Sequence, residues 1–346
     1  MLRNFIIVIC GILLIAIISF ESFKFGYKTR RNQSLLINPI HRHFKFSTSL
    51  PNGLTFLGHA GSSIDDAVLR DGFYEPEVIE ALKLITRHLK SSSSRNNEGQ
   101  EKEIVFLDVG ANVGAYTLAM ATEVDRIIAV EPYQPVLDRL YAHIKENDLN
   151  NVEVLEVGFG DKKGKLQFQP PPEYYIGMGT FSVENSINRR GAHNPPKKKS
   201  RKMMLPVERG DDLLMGIDVN IAKIDVEGYE RFALEGLNST LTHSRPTIIM
   251  ELYPDRSDGF ATEEQLRDLL PEHYALYFFN YHPRKVCLAP VADNWRQVRR
   301  LLAVPDELAS FANSLVTPSC FSIVSEITFP FFHQIRGIRE FDIPEK

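Results

Sequence analysis

From residue 104 onward the chain alternates short apolar runs, rich in Val and Ile, with amphipathic stretches. The runs at 104–109, 126–131, 152–159, 220–226 and 246–253 have the length of strands. They are continuously apolar, as expected of strands covered on both faces. Helical patterns occupy 114–124 and 134–147, between the first three runs, and 228–237 after the fourth. Strands and helices in alternation imply crossover units around a mostly parallel, doubly wound sheet, an α/β fold. The aromatic run "YALYFFNYH" at 274–282 reads as a late strand with one buried face.

Upstream the pattern differs. Residues 5–20, "FIIVICGILLIAIISF", are uncharged and mostly apolar, a signal-anchor or transmembrane segment at 1–20, with a cleaved signal peptide as the alternative. Arg3 before it, against Lys24, Lys28, Arg30 and Arg31 after it, favours a cytosolic body. The glycosylation triplets beginning at Asn32 and Asn238 favour a lumenal one. Residues 21–60 read as a stem and 61–103 as a helical extension and linker. The helix near 75–90 starts at Pro76, and "SSSSRNNEGQEKE" follows it. Within the main domain, 104–346, the rhythm breaks at 169–205, where a proline run, "IGMGTFS" and "KKKSRK" suggest a lid, an acceptor-recognition loop or a solvated insertion.

Composition narrows the function. With 40 basic and 44 acidic residues in 346, a net charge of -4 gives no general case for nucleic-acid binding. Cys10, Cys287 and Cys320 match no zinc pattern, and only the last two are placed to pair in a folded domain. The ten histidines show no metal or triad context, and His143 falls on a regular helix, so structural roles are expected for them.

The chemistry concentrates at strand ends. In "FLDVGANVGAYTLAMA", residues 106–121, a strand breaks into a glycine turn and continues as a helix. Dinucleotide turns need a glycine where this chain has Asn112, and Asp108 would repel a pyrophosphate. The same carboxylate suits the ammonium of S-adenosylmethionine (SAM). Glu131, ending the second strand in "AVEP", is placed to accept the hydroxyls of a ribose. Alternatively, both acids cap helices. Asp225 and Glu227 straddle the end of the fourth strand in "KIDVEGYERFALEGL", and Glu251 ends the fifth in "IIMELYP". Glu75 in "GFYEPE" is within reach of the cofactor, although as a helix-start acid it needs no such role.

"DVGANVGAYT", "VEPYQPVLDRLYAHIKEN", "GFGDKKGKLQF" and "KIDVEGYERFALEGL", in this order, resemble the FkbM-type SAM-dependent methyltransferases over roughly residues 104–253. The resemblance implies a class I, Rossmann-like fold with a seven-stranded sheet, and O-methylation of a hydroxyl on a sugar or polyketide. It implies that Asp108, Gly110, Asn112 and Gly114 line the methionine end of SAM, Glu131 the ribose, and Gly160 and Asp161 the adenine side. Gly158 and Phe159 depart from the family pattern. A hydroxyl is a poor nucleophile, so Asp225 and Glu227 are candidate bases; Asp225 with Glu251 are candidate ligands of a divalent metal. Alternatively, Glu227 caps the helix near Gly228. With the anchor, the resemblance implies a membrane-bound, lumenal enzyme of the Golgi or secretory pathway acting on a glycan. The rival functions are an NAD-dependent oxidoreductase and a non-catalytic binding module.

Overall fold

The computed structural model describes residues 45–92, 102–170, 179–181, 203–254, 259–282, 285–291 and 295–315. The anchor at 1–20, the Asn32 triplet, the "KKKSRK" run and Cys320 lie outside them. Among the described residues no helix is long and apolar enough to cross a membrane. The chain divides into residues 1–45 with 59–61, and residues 46–58 with 62–346; the elements that carry the site all belong to the second unit.

The described chain begins with strands β1 (Lys45–Ser49) and β2 (Thr55–His59), then helices α1 (Ser63–Asp71) and α2 (Pro76–Ser92). Phe46, Leu50 and Phe56 are buried in the same core as the apolar face of α2, so a stem reaching residue 60 is corrected. The alternating region follows: β3 (Val105–Val109), α3 (Ala115–Met120), β4 (Arg126–Val130), α4 (Gln134–Glu146) and β5 (Val152–Leu155). After the insertion come β10 (Ile221–Ile224), β11 (Thr247–Glu251), β12 (Tyr274–His282), β13 (Lys285–Pro290) and β14 (Arg300–Pro305).

These form one sheet of eight strands in the order β13-β12-β14-β11-β10-β3-β4-β5, not seven. The hairpin partner β13 adds the extra edge strand. Neighbours from β11 to β5 pair in parallel, whereas β14 is antiparallel to both β11 and β12, so six strands share one direction. The order reverses between β3 and β10, the type of crevice where open α/β sheets bind ligands. Two apolar cores cover the two faces. Tyr277 and Phe279 of β12 enter one, and Tyr274 and Leu276 the other, so this strand is buried on both faces, not one.

The run at 152–159 also divides. Beyond Leu155 the chain leaves the large sheet, and Gly158–Phe159 (β6) pairs with Met203–Glu208 (β9). With Gly164–Gln169 (β7) and Thr180–Phe181 (β8) these make a second sheet of four strands. Both arms of the 169–205 insertion are thereby tied into regular structure beside the rim.

Candidate functional site

A cleft opens over the carboxyl ends of the central strands. Val109, Gly110 and Asn112 line it from β3, Val130 and Glu131 from β4, and Asp225, Val226 and Glu227 from β10. Gly158, Phe159, Phe168, Gly179 and Phe181 close it from the small sheet.

The turn after β3 is held by its own backbone. The amides of Gly110 and Ala111 both donate to the Val130 carbonyl, at 2.9 and 3.0 Å. Gly110 has φ +78, and a Cβ there would overlap the carbonyl oxygen of Asp225, so only glycine fits. Asn112, with φ +54, turns its amide to Glu131, which accepts it at 3.0 Å and the amide of Tyr133 at 2.9 Å. Each carboxylate oxygen of Glu131 thus holds one backbone donor and keeps acceptor capacity for a ligand hydroxyl. Burial pushes Glu131 up to about 7 against the opposing effect of those two amides.

Asp108 is fully buried and absent from the cleft lining. Thr117 donates to it at 2.8 Å, and the Lys223 ammonium lies 3.4 Å from its other oxygen. The two residues are paired across neighbouring strands, and Lys223 also donates to the Gly110 carbonyl at 2.7 Å. The cation beside Asp108 is Lys223, beneath the turn. Gly114 likewise lies outside the lining and caps α3, where a Cβ would come within 2.6 Å of Leu140. Gly160 and Asp161 also stand outside it: Gly160 packs against Val207 and Tyr229, and the Asp161 carbonyl accepts from Arg209 at 3.0 Å. Aromatic rings stand on the Glu131 side of the cleft, with Tyr133, Phe168 and Phe181 in sequence at centroid distances of 5.1 and 5.5 Å.

At the other end, oxygens of Asp225, Glu227 and Glu251 lie within 4.8 Å of one another. Arg300 donates to Asp225 at 3.2 Å, and Lys223 lies 4.0 Å away. Burial alone would raise Asp225, but Lys223 and Arg300 outweigh it and hold this carboxyl below the usual range. Glu251 moves the opposite way, raised by burial and by the neighbouring Asp225 charge. The Tyr253 hydroxyl bridges Glu251 at 2.7 Å and Glu227 at 3.1 Å. Glu230, and not Glu227, clamps the loop: its carboxylate accepts the amides of Val226 and Gly228 at 3.1 and 2.9 Å. The expected capping role of Glu227 thus passes to Glu230, leaving Glu227 in the cleft lining.

Glu75 joins the rim after all. It accepts from Arg300 and, at 2.5 Å, from the Tyr116 hydroxyl. Glu75, Asn112 and Glu227 are three of the six non-glycine residues with positive φ among those described, a concentration of backbone strain typical of functional sites. Sequence reasoning missed Lys223, Arg300 and Tyr253. Lys223 carried a signal, because a charge inside the apolar strand "IAKI" demands a buried carboxylate.

Residues 108–278 match the family model described as the methyltransferase FkbM domain. The chain carries an FkbM methyltransferase domain. The match starts at Asp108 and spans all four acid-bearing strand ends. The chain is 28% identical over 159 residues to the hexuronic acid methyltransferase AglP of Haloferax volcanii, covering 45% of this chain and 59% of that one. It is 27% identical over 205 residues to the AMB antimetabolite synthetase AmbE of Pseudomonas aeruginosa, covering 49% of this chain and 9% of that protein. The chain therefore spans less than two thirds of either relative. A solved FkbM methyltransferase from Methylobacillus flagellatus aligns over 69% of this chain and 60% of its own, at 14% identity and a TM-score of 0.36.

Proposed function

We propose that the protein is a SAM-dependent O-methyltransferase acting on a hydroxyl of a glycan or similar acceptor. The observation that carries this reading is Glu131, fixed by two backbone amides beside the glycine turn and facing a cleft with a carboxylate cluster at its far end. Glu131 takes the ribose hydroxyls, and the turn from Gly110 to Asn112 takes the amino-acid end of the cofactor.

The methyl group of SAM arrives activated, so the enzyme has two tasks: to align the acceptor oxygen with the methyl carbon and to receive its proton. Asp225, paired with Arg300 and near Lys223, is a weak base suited to orienting the hydroxyl. Glu227, in the lining and held by Tyr253, is the better proton acceptor. Glu131 and the Gly110–Asn112 turn would hold SAM, which would supply an activated methyl group, and Glu227 would receive the proton of the acceptor hydroxyl. The carboxylate trio has the donors for a hard divalent cation, but Arg300 and Lys223 already answer the charge of Asp225, which favours the base role over a metal.

The hexuronic acid methyltransferase relative supports a glycan acceptor. On this reading the apolar run at 5–20 tethers the enzyme to a membrane of the secretory pathway, with the domain in the lumen. Calorimetric titration of S-adenosylhomocysteine and of NADH into the purified chain tests the cofactor. Binding of the first alone supports the proposal, and hexuronic acid glycosides are then the first acceptors to screen. Binding of NADH alone overturns it.

A further inference from the structure

Three polar residues spaced four apart, Arg139, His143 and Asn147, run along α4 and its C-terminal end and meet strand β2 at Thr55 and Leu57. Asn147 accepts the Thr55 amide at 2.6 Å and donates to the Thr55 carbonyl at 2.9 Å, as a neighbouring strand would. Arg139 donates to the Leu57 carbonyl at 3.0 Å. Between them, His143 accepts the Leu57 amide on Nε2 at 2.8 Å, and its Nδ1 lies 2.7 Å from the Val113 carbonyl.

The two shortest contacts of the imidazole set its tautomer, with the Leu57 carbonyl farther off at 3.2 Å from Nε2. An amide can only donate and a carbonyl can only accept, so Nδ1 carries the proton and Nε2 keeps its lone pair. The ring is fully buried and stacked on Phe56 at 4.7 Å. Burial pushes it down to about 4, which keeps it neutral at ordinary pH.

Val113 is the residue after Asn112 in the turn that faces the cleft, and Asn112 is the residue whose amide Glu131 holds. We infer that His143 is a positioning residue for the cofactor turn, holding the Val113 carbonyl from behind so that the Asn112 amide stays set against Glu131, with strand β2 as its anchor. The extension before residue 104 is then part of the cofactor site without touching the cofactor. The inference rests on the proposed function only in the identity of the ligand.

Asn147 supplies the control, since it grips β2 without touching the turn. Three full-length variants, His143→Ala, His143→Asn and Asn147→Ala, separate the two roles. An asparagine places its amide nitrogen near the position of Nδ1, keeping the donor to Val113 while giving up the bond to Leu57. The readouts are amide hydrogen exchange at Asn112, Val113 and Gly114, and calorimetric affinity for S-adenosylhomocysteine. His143→Ala is expected to speed exchange and weaken binding about tenfold, the loss of one well-placed hydrogen bond. His143→Asn and Asn147→Ala are expected to stay near wild type in both readouts, whatever stability they lose. The inference is overturned if His143→Ala leaves exchange at the turn unchanged, or if Asn147→Ala speeds it equally. If the wild-type chain binds no S-adenosylhomocysteine, the cofactor assignment fails, and exchange still decides the role of His143. Should His143→Ala not fold, His143→Asn with turn amides exchanging as fast as in an unprotected chain would equally sink it.

Discussion

Replacing Lys223 by methionine tests the charge arrangement under the cofactor turn. Asp108 is wholly buried, with Lys223 and Thr117 as its polar neighbours. Removing the ammonium strands the carboxylate with one hydroxyl, and breaking a buried ion pair from one side costs about 3–5 kcal/mol. The Gly110 carbonyl also loses its donor, which costs roughly 1–3 kcal/mol if it stays unmet. Asp108→Asn is milder, because Lys223 keeps the Gly110 carbonyl and the Asp225 charge 4.0 Å away. Combining the two changes removes the stranded charge, so the double variant should be more stable than the sum predicts by at least about 2 kcal/mol. Urea unfolding of the four proteins at pH 7, followed by circular dichroism, measures this coupling. The sign of any pH dependence follows from Lys223. Burial lowers it, but Asp108 and Asp225 raise it above its ordinary 10.5. Its stabilisation is then complete below that value and lost only as pH rises past the folded value, so the coupling should be equal at pH 7 and pH 9. Additivity within about 0.5 kcal/mol would refute the pairing and restore Asp108 as a group free to meet a ligand.

Three further outcomes are expected. Affinity for S-adenosylhomocysteine should rise from pH 6 to pH 8, because Glu131 ionises near 7 and its charged form accepts the ribose hydroxyls; Glu131→Gln should flatten that profile and weaken binding about 10–100-fold. In the folding balance the same raised value has the opposite sense: the contribution of Glu131 is full below about 4.5 and falls as pH climbs through about 7, and unfolding of wild type and Glu131→Gln across that window will show it. Glu227→Gln should keep S-adenosylhomocysteine affinity within about twofold and lower kcat on a working acceptor by about 10²–10⁴, with EDTA leaving the wild-type rate unchanged; a rate abolished by EDTA and restored by a divalent ion would make the acid cluster a metal site. Gly110→Ala, forced to positive φ against the Asp225 carbonyl, should lose about 1–3 kcal/mol of stability from the backbone alone and forfeit cofactor binding, which thermal unfolding and calorimetry will report.

The strands, and the rim they place together, were legible in the sequence because both are local. Apolar runs at 104–109 and 126–131 end within one residue of β3 and β4, and the acids at their ends, Asp108 and Glu131, are visible without any knowledge of the fold. What those acids pair with was not visible. Arg300 lies 75 residues from Asp225 and 225 from Glu75, and an antiparallel late strand brings it back to the rim, a topology no local pattern specifies. The expected ligand role of Asp108 arose in the same way: a strand-end carboxylate looks free until the register places Lys223 beside it. The run at 152–159 reads as one strand since its apolar character continues past Leu155, while the partner of Gly158–Phe159 comes from residues 207–208. From its place on a regular helix His143 reads as structural, and the position of Val113 beside its ring gives that role a direction.

The row of side chains that meets strand β2 has a built-in length limit. Four residues of helix advance about 6.0 Å. Two residues of strand advance about 6.6 Å. The helix and strand therefore run like the two scales of a vernier, slipping about 0.6 Å per step. Asn147 and His143 fall on matching marks, at Thr55 and Leu57. A third short side chain would miss its mark by more than a hydrogen bond tolerates. The chain places its longest polar side chain there, and Arg139 reaches back to the Leu57 carbonyl. The match covers two marks, a single step, and so α4 meets this edge of β2 over one short stretch.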